Sequence, residues 1–210
     1  RDAAARLAID SSYTRIYTTG TIRPFTYYLS SGEALDMELL EPAQGELAVN
    51  VAGGTGAGFL LVADGDTLLD RSVDGSSRTF HAAIKGPVDH LHVMARYIGT
   101  PAAQPEIFIR SLSIGGINVH LLQREMEFIR AGGDTAPAWP TYAQSARSAL
   151  IERGVREDRI TEVPAYGRPR SRSWGNAHAF AIQAHKDGII AFDIATAGVH
   201  ARRSRNLFQT

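Results

Sequence analysis

Three short stretches place side chains suited to chemistry at the ends of strand-like runs. Thr18-Thr19-Gly20-Thr21 closes the run RIYTT (15–19). Pro164 to Ser173 follows RITEV (159–163) and carries Arg168, Arg170 and Arg172. Thr196-Ala197-Gly198-Val199-His200 ends GIIAFDIAT (188–196) and leads into Ala201-Arg202-Arg203-Ser204-Arg205. In an open α/β sheet, ligands sit beyond the carboxyl ends of the strands, often against the free N–H groups of a helix start. Hydroxyls, glycine, arginine and histidine in such places suit a phosphate or another anion. His200 and Arg203 are one helical turn apart, so a helix puts them on one face. There His200 serves as an acid/base group or anion ligand, and Arg203 clamps charge.

The other chemical signals are weaker. His90-Leu91-His92 puts two imidazoles on one strand face without an evident third zinc ligand. GGTGAG (53–58) has no following Lys and lies between strands, which reads as a hairpin loop rather than a phosphate loop. The chain has no Cys, which excludes disulfides, thiolate chemistry and Cys-ligated zinc. No metal site is expected from these residues.

The elements that must position these groups come in three styles. Residues 1–14 read as a helix and 15–19 as a strand. Residues 21–119 break into at least six short alternating strands, with hairpin signals at Asp64-Gly65 and Asp74-Gly75. HLHVMARYI (90–98) alternates cleanly, and IFIRSLSIGGINV (107–119) sets Ile107, Ile109 and Ser111 against Phe108 and Arg110. Such spacing predicts an antiparallel β-sandwich. Residues 120–132 read as a helix, 141–154 as another with Thr141 as N-cap, 159–163 as a strand, and 173–187 as a helix. GIIAFDIAT reads as a parallel strand buried on both faces. The fold class expected is α/β: a discontinuous parallel-sheet domain from 1–20 and 120–210, interrupted by a β-sandwich at 21–119.

Composition bounds the function classes. Lys+Arg and Asp+Glu are 22 each over 210 residues, so a non-specific binder of nucleic acid is excluded. No apolar run approaches the roughly 20 residues of a membrane span. The chain opens RDAAARLAID, with neither an initiating Met nor a signal-peptide pattern, and reads as a segment of a longer protein. Its zero net charge hides an asymmetry. Residues 21–120 carry 6 basic and 11 acidic side chains, and residues 141–210 carry 11 and 6. The excess cations near the end are mostly Arg, which suits bidentate recognition of phosphate or carboxylate. Packing of oppositely charged segments against each other explains the pattern equally well.

Two stretches carry family resemblances. AFDIATAGVHARRSRNLF (191–208) resembles the closing motif of the YdcF/SanA/ElyC family, a strand, then Thr, then His-x-x-Arg entering a helix, here Thr196, His200 and Arg203. SRSWGNA (171–177) is similar to that family's Thr-x-Glu-Asn-Ala motif, with Arg172 before Ser173 in the Thr place and Asn176 retained. Gly175 stands where the acidic residue is usual. RDAAARLA…RIYTTG (1–20) resembles the family's early helix and next strand. The resemblance implies a Rossmann-like fold, a setting in the bacterial cell envelope or periplasm, and a ligand site of Thr19, Gly20, Arg172, Ser173, Asn176, Thr196 and Gly198 beside His200 and Arg203. One branch of that family is reported to bind S-adenosylmethionine, so that cofactor is implied by resemblance alone.

Residues 46–117 resemble a small calcium-dependent xylan-binding carbohydrate-binding module, through the Asp64-Gly65 hairpin, the long strand HLHVMARYI and the close SLSIGG (111–116). Calcium needs six to eight oxygen ligands. Here Arg96, Tyr97 and a Pro/Ala loop follow the long strand, with Glu106 the nearest acid, so the calcium pattern is degraded. Asp64, Asp66, Asp70 and Asp74 sit in hairpin turns where Asp is common. Stacking on sugar falls to aromatic faces, with Tyr97 and Phe59 first and Tyr27 or Tyr28 as further choices. Two readings follow. In one, the β block binds a carbohydrate while the α/β part handles a small anionic or phosphorylated ligand. In the other, the protein is a non-catalytic glycan-binding or scaffolding module.

Overall fold

The computed structural model describes residues 2–11, 13–97, 106–166 and 171–195. The chain divides into two units, one of residues 1–23 and 139–210, the other of residues 24–138.

The second unit is a nine-stranded antiparallel sheet. Two strands of 20 residues organise it, β3 (Ala34–Gly53) and β6 (Arg78–Tyr97). The other strands are β2 (Tyr27–Ser30), β4 (Ala57–Ala63), β5 (Asp66–Val73), β7 (Glu106–Ile114), β8 (Ile117–Asn118), β9 (Gln123–Ile129) and β10 (Thr135–Pro137). The first half of β3 pairs with β9 and the second half with β7, while β6 runs beside both halves. The β3–β6 register shifts between Glu38 and Gly45, where the ladder is interrupted. Leu35, Met37 and Leu39 on one side of that break and Leu47, Val49 and Val51 on the other belong to a single buried cluster. A sheet that buries both halves of one strand in one core has to fold over on itself, which gives two layers around that core.

Local chemistry accounts for the turns. Asp64 (φ +46°) and Gly65 (φ +89°) form the two-residue connection of the β4–β5 hairpin, as the Asp-Gly pair predicts. The segment read as a helix at 120–132 is instead a 3-10 turn, Val119–Leu121, followed by strand β9. Its apolar residues fit either period. The deciding term is tertiary: β9 covers an edge of β3 and sets Met126 opposite Met37 in the core.

The first unit holds a two-stranded parallel sheet of β1 (Ile16–Thr21) and β11 (Ile160–Ala165), in register from Ile16–Ile160 to Thr21–Ala165. Helices α1 (Asp2–Asp10), α2 (Tyr142–Ile151) and α3 (Arg172–Lys186) accompany it. Thr141 caps α2 in a reciprocal box: its hydroxyl oxygen accepts from the Gln144 N–H at 3.2 Å, and the Gln144 carbonyl accepts from the Thr141 N–H at 3.1 Å. Gly20 is required by close approach. A Cβ there would lie 2.3 Å from the Ala143 nitrogen at the start of α2.

The expected third strand at 188–196 is not formed by its described part, residues 188–195. Ile190 is fully exposed. A parallel strand exists only by pairing, and this segment borders a cavity of about 880 Å³ that separates it from β1.

Candidate functional site

The outer face of the β2–β7 pair carries the most distinctive arrangement. Tyr28 and Phe108 are directly opposite in the ladder. Their rings stack, with centroids 4.3 Å apart and planes 14° apart. Tyr28 is 66% exposed although it is a large aromatic on a regular strand. The neighbouring residues Tyr27 and Leu29 point the other way. Leu29 is fully buried, and the Tyr27 hydroxyl is 2.9 Å from Nε2 of the buried His120. The same alternation that anchors β2 in the core therefore lifts Tyr28 out of it.

Polar groups stand on the same face two residues along β3: Ala52 is opposite Phe108, and Asn50 lies beyond it. The Asn50 amide donates to the Thr79 hydroxyl at 2.9 Å and accepts from the Ser77 hydroxyl at 2.5 Å. Asn50 pairs across the ladder with Ser111. An exposed ring on a face that also carries amide and hydroxyl groups matches the two-sided chemistry of a sugar, whose CH face packs on a ring and whose hydroxyls need partners.

The two rings expected to stack on sugar are elsewhere. Phe59 has no exposed surface, because it shares the core-facing register with Ala57, Leu61 and Ala63 and packs edge-on against Phe80, with centroids 5.3 Å apart. Tyr97 ends β6 on the face of Leu91, Val93 and Ala95, half-buried opposite Ala57. Neither offers a free ring face of the kind Tyr28 does.

On the other layer, Asp36 joins the two histidines noted in the sequence. Its Oδ2 accepts from His90 Nε2 and its Oδ1 from His92 Nδ1, both at 2.8 Å. Burial pushes the Asp36 carboxyl up, but the two imidazole bonds outweigh it and hold it below the usual carboxylate range. Among the described residues no group of three or more His, Asp or Glu is arranged to hold a metal ion. Asp64 accepts backbone N–H bonds from Asp89 and His90, and Asp70 pairs with Arg96 at 2.5 Å. Asp64 of the β4–β5 turn, and Asp70, which lies within β5 opposite Leu60 rather than in a turn, are thus engaged with the protein itself.

The residues expected to bind an anion are only partly described. Thr196, Gly198, His200 and Arg203 lie outside the described residues. Thr19 and Gly20 are at the carboxyl end of β1, where Gly20 packs against the first turn of α2. Arg172, Ser173 and Asn176 occupy the start of α3, whose N-cap is Ser171, with its hydroxyl accepting from the Trp174 N–H at 3.2 Å. Arg172 is exposed, and the Asn176 Oδ1 is buried without a hydrogen-bond partner among the described residues. Of the described members of this set only Thr19 lines the cavity beside β1. That cavity's polar rim is instead Tyr13, Arg15, Tyr17, Asp187 and Asp193. Tyr17 donates to Asp187 at 2.7 Å and Tyr13 donates to Asp193. The Gln183 amide and the Tyr17 hydroxyl hold the Asp187 carboxyl below its ordinary range.

No family model matches the chain, so the resemblance to the YdcF/SanA/ElyC family and the envelope setting gain no support from it. No curated protein matches either. Among solved structures, the chain is similar to a family two carbohydrate esterase from Clostridium thermocellum in complex with cellohexaose. That match is 19% identical and covers 43% of this chain and 26% of the other, at a TM-score of 0.31. A family two carbohydrate esterase from Cellvibrio japonicus is 12% identical over 72% of this chain and 49% of the other, at a TM-score of 0.33. The chain thus spans between about a quarter and a half of those proteins. Likeness of this grade defines neither fold nor activity. Among the described residues no helix is long and apolar enough to cross a membrane.

Proposed function

We propose that the unit of residues 24–138 binds a carbohydrate on the outer face of β2 and β7, with Tyr28 as the ring on which a sugar stacks. One observation carries this reading: a tyrosine two-thirds exposed on a strand and held parallel to a second ring. Exposing such a ring forgoes burial worth about 2 kcal/mol, so a ligand that covers it regains that term. The α/β unit is assigned a small anionic ligand at the ends of β1 and β11. Thr19 and Gly20 there, and Arg172, Ser173 and Asn176 on α3, supply a hydroxyl, backbone N–H groups, a guanidinium and an amide. The Rossmann-like reading of this unit and the envelope setting rest on resemblance.

A second reading is a glycan-binding or scaffolding protein without chemistry in the α/β half. Gly175, buried in the first turn of α3 where the resemblance implies an acidic residue, favours it.

The test of the main reading is affinity electrophoresis and calorimetry against a panel of soluble plant and bacterial glycans, with calcium and with chelator. Tyr28→Ala is expected to weaken binding about tenfold or more while leaving the circular dichroism and unfolding midpoint unchanged. Equal binding by wild type and Tyr28→Ala would remove this face from the function.

A further inference from the structure

The alternation of β7 breaks at Arg110. Asn50 pairs with Ser111 and the next residue, Val51, pairs with Ile109, so Arg110 is the extra residue of a β-bulge. Burial records the same slip. Ile107, Ile109, Leu112 and Ile114 are buried, while Arg110 and Ser111 are both exposed. A bulge re-aims a side chain at a cost in ladder pairing, and bulges concentrate beside functional sites. Here it lies beside the ring pair. The Arg110 guanidinium carbon is 5.3 Å from the Phe108 ring centroid.

No carboxylate pairs with Arg110 among the described residues, whereas Arg96 and Arg124 of the same unit pair with Asp70 at 2.5 Å and Glu38 at 2.8 Å. Contact with a ring face uses none of the five guanidinium N–H donors, so Arg110 keeps its fork for an outside acceptor. Glu106 precedes Phe108 by two residues on the same strand and is also exposed. The platform therefore has a cationic end and an anionic end. The Arg110 guanidinium carbon is 5.3 Å and the Tyr28 centroid 4.3 Å from the Phe108 centroid, so guanidinium and Tyr28 ring are within about 10 Å of each other. One or two sugar rings span that distance.

We infer that the ligand of this face is an acidic glycan, in which a sugar ring stacks on Tyr28 and a uronic-acid carboxylate takes the Arg110 fork. Glu106 repels the carboxylate from the opposite end and so fixes the direction in which the chain lies. The inference rests on the carbohydrate reading above and adds the charge of the substrate to it.

The test uses the full 210-residue chain and two forms of one polymer, polygalacturonate and the same polymer fully methyl-esterified, with neutral xylan and cellohexaose as further probes. The expected result is binding of polygalacturonate about tenfold or more tighter than its ester, weakened by 1 M NaCl. Arg110→Gln is expected to erase that difference, and Arg110→Lys to restore only part of it, because an ammonium lacks the fork. Equal affinity for acid and ester, or binding of only the neutral probes, both lost in Tyr28→Ala, would overturn the acidic-sugar inference and leave the carbohydrate reading standing. Binding of none of the four probes would overturn the acidic-sugar inference. Failure of the wider glycan panel as well would then overturn the carbohydrate reading.

Discussion

The two units of this chain bury their apolar residues on different scales. In residues 24–138, one cluster runs from Phe25 to Ala138 and takes in buried side chains from every long strand. Among the described residues of the α/β unit, one small cluster holds Ala5, Ala8, Val155 and Ile160, with Ile16, Leu150 and Ile151 against it, and Val163, Ala177 and Phe180 are buried outside it. The contrast shows where a binding surface has a rigid base. Tyr28, Phe108, Arg110 and Asn50 stand on strands whose alternate residues are locked in a core. The residues proposed to hold an anion in the α/β unit stand at a strand end and on the first turns of a helix. Sites built on regular elements hold geometry more tightly than sites on their connections.

Mutations in the two cores test that contrast. The largest effect is expected from Phe59→Ala, which removes a fully buried ring between the layers of the β unit. A loss of about 3–5 kcal/mol in denaturant unfolding is predicted, with glycan binding falling only as the fold is lost. A loss near zero, with binding abolished, would return Phe59 to the role of a sugar-stacking ring.

Gly20→Ala should come next. The added Cβ meets backbone atoms of Tyr142 and Ala143 at 2.5 and 2.3 Å, and backbone cannot step aside as a side chain end can. A cost of about 1–3 kcal/mol is predicted, confined to the transition that reports on the α/β unit. A neutral substitution would mean that α2 does not press on β1 as described.

The smallest effect is the pH dependence of the Asp36 cluster. The folded carboxyl is held below its ordinary value, so its contribution is fully present above about pH 4, the unfolded value, and is lost as pH falls through the lower folded value. The side chain is about one-third exposed, so solvent screening keeps the contribution below about 1 kcal/mol. Asp36→Asn should flatten the acid limb of the stability curve below about pH 4. An unchanged limb would show that His90 and His92 do not stabilise the ionised carboxyl.

Much of the β unit is legible in the sequence, because its signals are local. Asp64-Gly65 specifies its hairpin, and Leu91, Val93 and Ala95 alternate into the core as read. His90 and His92 do share a face, but Asp36 lies 54 residues from His90, and only the strand register brings it there. The run GFLLVA is apolar throughout, so its period carried no information and Phe59 could not be told from a surface ring. Beside it, Tyr28 was one of several tyrosines until β2 was paired. The bulge at Arg110 did leave a trace. Two polar residues between Ile109 and Leu112 shift the phase of the alternation, and reading Ser111 as inward overlooked that shift. In the α/β unit, the Thr141 cap was legible, while residues 188–195 have the composition of a strand but gain no strand partner among the described residues.

Sugar binding on the β2–β7 face is tested by a ¹H–¹⁵N chemical-shift titration of the ¹⁵N-labelled chain with a soluble oligogalacturonate. The largest shifts are expected on Tyr28, Phe108, Arg110, Ser111 and Asn50, on one face of β2, β7 and β3. Shifts concentrated on Asp36, His90 and His92, or on β1 and α3, would contradict that expectation and place sugar recognition on another surface of the protein.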